Sequence, residues 1–220
     1  MVKLQAAKRT APKPRTQEER SAATRERVIK ATIDCIVEEG LQNTTAARIA
    51  TRSGVTWGAI AHQFGDKDSV LFAVLERNAE IHSRRLEKAL TGAGTTLHER
   101  VSAMIDVTWK YINEPAAFAF IELIIQNRVS SNTKMQAQQE DLSNRQMKVV
   151  WKSFFGDFGI AHTALSTVRN LMLSTLLGLS LQRLINRRRP AYSNEIEALK
   201  AVAVQMLEAG IGAASLDRET

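Results

Sequence analysis

The stretch that most restricts what this chain can become runs from Thr44 to Lys67, TTAARIATRSGVTWGAIAHQFGDK. Two apolar-faced segments of about seven residues flank Ser53-Gly54-Val55, and a glycine at such a joint fits a tight turn between two short helices. Thr44 or Thr45 can cap the first helix and Thr56 the second, because a threonine hydroxyl accepts from the free amides of a helix start. Ile49, Ala50 and Ile60 then point inward, with Val55 and Phe64 closing the same small core. Such a pair either only packs or lies against a polyanion.

The residues left over favour the polyanion. Trp57, Gly58, Ala59, Ala61, His62 and Gln63 face outward, and Gly58 and Ala59 are small enough for close approach to base edges. Thr44, Thr45 and Thr56 stand where hydroxyls and helix-start amides bind phosphate, and Arg48 and Lys67 add charge. Two readings stay open for Trp57: it packs on a sugar or thymine methyl, or it stacks within its own domain. His62 is a phosphate or base contact, or else a solvated helix residue.

Charge is distributed to match. The net charge is +7, and residues 1–30 hold nine Lys or Arg against three acids, so nine minus three places +6 there. A basic arm on a nearly neutral body is an electrostatic handle for nucleic acid or for an anionic membrane, or simply a solvated tail. Residues 1–20, with Pro12 and Pro14, read as a mobile arm. A helix is expected from Ser21 or Thr24 to Glu39, with Cys35 on its inner face as a packing residue.

The rest of the 220 residues reads as helix, with four prolines and no surviving strand pattern. Helices are expected from Asp66 or Asp68 to about Leu90, over Leu97–Asn113, from Pro115, from about Thr133 to Phe155, over His162–Arg187 and over Asn194–Gly210. The single cysteine suits a reducing compartment, and neither a signal peptide nor an apolar run of about eighteen residues is evident. A cytoplasmic protein without a membrane partner is expected. His62, His82, His98 and His162 make no metal spacing, and no glycine-rich phosphate loop or grouped nucleophile appears. Neither an enzyme nor a cofactor is expected.

Residues 28–76, VIKATIDCIVEEGLQNTTAARIATRSGVTWGAIAHQFGDKDSVLFAVLE, resemble the tetracycline-repressor (TetR) family of bacterial transcriptional regulators. The resemblance rests on Gly40, Thr44-Thr45, Ile49-Ala50, Gly54-Val55-Thr56, Gly58, Phe64 and Lys67. It departs at Ala61, where the family usually has a phosphate-binding tyrosine, at Gly65 in place of a common proline, and at Trp57. The resemblance implies an all-α chain with a three-helix helix-turn-helix domain over 21–67 behind the 1–20 arm. A connecting helix over 68–90 and a larger ligand-binding and dimerisation domain over 91–220 would follow.

Two further expectations come from that larger domain. The long apolar helix over Thr163–Ile185 and the last helix suit pairing with a second copy, through Leu171, Thr175, Leu179, Leu199, Val202 and Met206. Met104, Trp109, Phe118, Met147, Trp151 and Phe155, with Glu122 as a polar partner, offer walls for a small hydrophobic or amphipathic effector, although each also reads as ordinary core. The function expected is a ligand-responsive homodimeric regulator, a repressor, on a palindromic double-stranded DNA operator. The rivals are a DNA architectural protein without ligand and a membrane or scaffold protein using the basic arm.

Overall fold

The computed structural model describes residues 16–127, 137, 148–186, 188 and 190–216. Every regular element among them is helical, and the fold is all-α. Helix α1 (Gln17–Glu39) begins ahead of the expected Ser21 or Thr24. The Thr16 hydroxyl accepts from the Glu19 amide at 3.2 Å while the Glu19 carboxylate accepts from the Thr16 amide at 2.8 Å. This reciprocal cap satisfies two otherwise free amides and draws Gln17–Arg20, expected in the arm, into the first helical turn. Residues 1–15 of that arm lie outside the described residues.

Val28, Ile29, Ala31, Thr32, Cys35 and Ile36 make the buried stripe of α1, so Cys35 is a packing residue. A 3-10 turn over Leu41–Asn43 leads to Thr45, which caps α2 (Ala46–Ser53). Gly54 turns the chain at φ 64°, in the left-handed region that a Cβ disfavours, and Thr56 caps α3 (Trp57–Phe64). Asp66 accepts from the Ser69 amide at 2.8 Å and starts α4 (Lys67–Gly92), which continues into the body of the protein.

Five buried residues hold this head together: Val28, Ile49, Val55, Ile60 and Val70, with Ala50, Trp57 and Phe64 packed around them. Each large aliphatic buried there contributes about 1.5–3 kcal/mol. The Arg25 guanidinium lies 4.7 Å from the Phe64 ring centroid and covers that edge of the core.

The body consists of α5 (Leu97–Ile112), α6 (Pro115–Asn127), helical residues 148–155 (α7), α8 (His162–Ile185) and α9 (Ser193–Leu216). The helix expected from about Thr133 is described only at 137 and over 148–155, and is helical at both. A central core gathers Met104, Ile105, Phe154, Phe155, Leu176 and Leu207. A further cluster runs from α1 and α4 onto α6, where Ile29, Ile36, Leu71 and Leu75 meet Ala119 and Leu123. Head and body therefore share an apolar seam at α6.

Among the described residues, α8 is long and apolar enough to cross a membrane, with a mean hydropathy of 1.2 over its best window. Ser174, Ser180, Gln182 and Arg183 interrupt its apolar sequence. Its inner stripe, Val168, Met172, Leu176 and Ser180, is buried in the core, while Leu171, Leu181, Leu184 and Ile185 are exposed.

Candidate nucleic-acid interface and adjoining cavity

Two helix starts and one open helix face make up the outer surface of the head. Thr45 Oγ1 accepts from the Arg48 amide at 3.3 Å, and Thr56 Oγ1 accepts from the Ala59 amide at 3.3 Å. Both threonines are exposed, as are Gly58, Ala59 and His62 along α3. A Cβ built on Gly58 meets no atom within 4 Å, so nothing inside this chain requires glycine there. Glycine on an exposed helix costs about 1 kcal/mol relative to alanine, which makes its presence informative.

The charged residues at this surface are loosely committed. Arg48 Nε lies 3.3 Å from Glu39, with its side chain largely in solvent. An exposed pair of this kind contributes little, so phosphate can replace Glu39 at small cost. Lys67 opens α4 behind its Asp66 cap, where the helix dipole disfavours a cation. Arg52 pairs with both Glu38 and Glu39, and the Glu38 carboxylate holds its guanidinium above the ordinary arginine value.

Three expected contact residues are placed differently. Thr44 is fully buried and its hydroxyl donates to the Gly40 carbonyl at 2.9 Å, so it plugs the α1–α2 junction and is not available to phosphate. The 3-10 turn before Thr45 moves the cap one residue along and turns Thr44 inward. Trp57 is half-buried against the head core, with the remainder of the side chain in solvent. Gln63 Nε2 donates to the Ser21 carbonyl at 2.9 Å and to the Ser21 hydroxyl at 3.1 Å, which commits its amide to α1. Ser21 is thus a positioning residue of this face. Its sequence signal was hidden because it was taken for the start of the helix.

In the body, a cavity of about 280 Å³ opens between α4, α5, α6, α7 and α8. None of the six described residues expected to bind a ligand lines it. Met104, Trp151 and Phe155 are buried in the central core, and Trp109 stands edge-on to Tyr192 with ring centroids 6.4 Å apart. Phe118 is half-buried outside the cavity wall, and Met147 lies outside the described residues. Glu122 reaches the head instead, where its Oε1 accepts from the Leu41 amide at 2.8 Å. Large side chains fill space, and the cavity is left where small ones face each other: Ala79, Ser83, Thr108 and Ala117.

The polar part of the wall comes from α4 and α5. His82 stacks on Tyr111 with ring centroids 4.3 Å apart and planes 13° from parallel, and Tyr111 donates to the Asn78 carbonyl at 3.4 Å. Arg85 sits 5.6 Å from the Tyr111 ring centroid and binds Glu114 at 2.7 Å. Burial, reinforced by Arg85, pushes the His82 imidazole down to about 4, and burial raises the Tyr111 hydroxyl. His82 is therefore neutral, and its Nε2 is buried without a hydrogen-bond partner among the described residues. The sequence signal for this corner was Asn78 and His82 at i and i+4 on the face of α4 that also carries Leu75 and Leu86.

Of the expected pairing residues, Leu171 and Val202 are exposed, and Thr175, Leu179 and Met206 are half-buried. Leu199 is 5% exposed and belongs to the core of its own chain, because α9 turns that stripe toward α5 and α8. The strongest exposure is at Ile185, 83%, with Leu181 and Leu184 beside it on α8.

Residues 28–74 match the family model described as bacterial regulatory proteins, tetR family. The HTH-type transcriptional regulator BetI of Stenotrophomonas maltophilia (strain R551-3) is 33% identical over 82 residues, which are 37% of this chain and 42% of that protein. The chain matches less than half the length of such curated relatives. A solved TetR family transcription regulator from Marinobacter aquaeolei VT8 superposes with a TM-score of 0.65 at 16% identity, covering 87% of this chain and 98% of that one. The superantigen PfiT gives a TM-score of 0.65 at 22% identity, covering 84% of this chain and 96% of that one. These two likenesses concern the fold.

Proposed function

The chain belongs to the tetR family of bacterial regulatory proteins, and on that premise we propose that it is a homodimeric, effector-responsive transcriptional repressor that reads a palindromic operator. The observation that carries this reading is the open face of α3, with Gly58, Ala59 and His62 exposed behind a capped helix start. Thr45, Thr56, Arg48 and Lys67 bind the flanking phosphates, and α3 enters the major groove. Trp57 and Gln63 support the face from behind. The basic arm adds phosphate contacts, and the protein works in the cytoplasm.

Dimerisation uses α8 and α9. Leu171, Ser174, Gly178, Leu181 and Ile185 recur at alternating spacings of three and four, which makes one stripe along α8. A Cβ on Gly178 meets nothing within 4 Å in the chain itself, so a partner helix can approach closely there. Arg169, Asn170, Gln182 and Arg183 flank this stripe, which suits a protein interface better than lipid. A small molecule in the 280 Å³ cavity biases the position of α4, which runs from the cavity wall into the head.

Gly58→Leu tests the DNA reading cleanly. The free protein should keep or slightly raise its melting temperature, since a Cβ there meets no described neighbour and leucine is the better helix former. Operator affinity, measured by gel shift with a fragment recovered by genomic footprinting, should fall at least about tenfold as the groove approach is blocked. An unchanged affinity would remove α3 from the interface.

A further inference from the structure

The cavity wall specifies more about its occupant than size. Among the described residues lining it, none is Asp, Glu, Lys or Arg. A buried ion without a counter-charge costs several kcal/mol, so these residues offer nothing to hold a cation or an anion. Arg85, which lies over the Tyr111 ring, is bound to Glu114 at 2.7 Å, and the pair carries no net charge. A cation also lacks an aromatic cage, because His82 already covers Tyr111 in a stacked pair.

The wall is also divided. Among the described residues, polar groups come from α4 and α5, as His82, Ser83, Thr108 and Tyr111, whereas α6, α7 and α8 contribute apolar side chains such as Phe120, Ile124, Val150 and Leu176. Its volume is roughly twice that of the ~150 Å³ cavity that accepts benzene. Resting on the effector reading proposed above, we infer that this cavity takes an uncharged, mostly apolar molecule of about ten to twelve heavy atoms with one hydroxyl-like group, which lies against the α4–α5 wall near Thr108 and His82. A hydroxyl is the fitting group because it both donates and accepts, and the wall presents hydroxyls together with a neutral imidazole.

The test uses the full chain and four probes of matched size: naphthalene, 2-naphthol, 2-naphthoate and 2-naphthylmethylammonium. Binding is read at neutral pH by calorimetry and by the shift in melting temperature. 2-Naphthol should bind about five- to tenfold more tightly than naphthalene, the effect of a single hydrogen bond, and at least about tenfold more tightly than either ion. Thr108→Val, which removes the hydroxyl at nearly constant volume, should bring 2-naphthol close to naphthalene and leave naphthalene unchanged. His82→Phe serves as the second variant and should have the same effect. Equal affinity of naphthol and naphthalene overturns the polar anchor, and an ion that binds as well as naphthol overturns the exclusion of charge. In both cases the effector cavity itself stands. If none of the four binds to the folded protein, the inference and the effector reading fall together.

Discussion

Thr44 and Lys67, both expected to contact phosphate, carry different tasks. The Thr44 hydroxyl is spent inside, on the Gly40 carbonyl at 2.9 Å. Thr44→Val should therefore cost about 1 kcal/mol in a denaturant titration, the worth of one buried hydrogen bond, and leave the salt dependence of operator binding as it was. Lys67 is the reverse case. It opens α4, where a cation is unfavourable, so Lys67→Ala should not destabilise the fold. It should make the slope of log K against log salt shallower by about 1, the signature of one lost phosphate contact.

His82 supplies the pH dependence. In the unfolded chain the imidazole takes its proton near 6.5, whereas in the fold it resists until about 4. Between those values the unfolded chain binds the extra proton, so stability is full above 6.5 and is lost as the pH falls toward 4. The groups facing it are Arg85 on its own helix and Tyr111 on α5, with Glu114 beyond, and Arg85 strengthens the effect. The full loss amounts to about 3 kcal/mol. His82→Phe keeps a ring against Tyr111 but cannot protonate, and its unfolding free energy should be flatter across that interval.

At the scale of elements, short-range signals were legible and negative space was not. Thr45, Gly54, Thr56, Gly65 and Asp66 act within a few residues of themselves, and the five helix boundaries they mark are readable from the chain. The start of α1 was missed although Thr16 and Glu19 spell a capping box, because the charged, proline-containing arm before it drew attention to disorder. The cavity was missed for a deeper reason. Residues of five helices, from Ala79 to Leu177, define it, and no signal local to one helix marks it. Glu122 illustrates the same limit, since its partner is the Leu41 amide, 81 residues away.

That bond gives α6 a double attachment. Ala117, Phe120, Ile121 and Ile124 of α6 line the cavity, while Ala119 and Leu123 pack on the head and Glu122 grips the turn that precedes α2. Glu122→Ala should raise the hydrogen-exchange rate of the Leu41 amide severalfold, by loss of a charge-assisted hydrogen bond at an exposed edge. Glu122→Gln retains an acceptor and should restore most of the protection. Identical exchange in all three proteins would mean that this contact carries no weight in solution.

For the molecule as a whole, the unresolved surface is the outer side of α8. Leu171, Leu181, Leu184 and Ile185 are exposed together there, and an apolar stripe of that length seldom faces water in a stable monomer. In the proposed dimer, pairing with a second copy would cover the stripe and set two α3 helices at a fixed separation. Two linked half-sites would then give an affinity beyond that of either head alone. Ile185→Asp leaves the core untouched, because this side chain is 83% exposed in the single chain. It should keep the helical signal and the melting transition of the folded chain, yet shift light scattering from dimer to monomer. Operator binding should weaken by about a hundredfold or more as the second half-site is lost, while binding to an isolated half-site changes little. Gly178→Leu should act in the same direction, since its Cβ has open space within the chain and crowds only a closely approaching partner. If both variants remain dimers, the second copy sits on another surface, and the α8 stripe must be covered by something else.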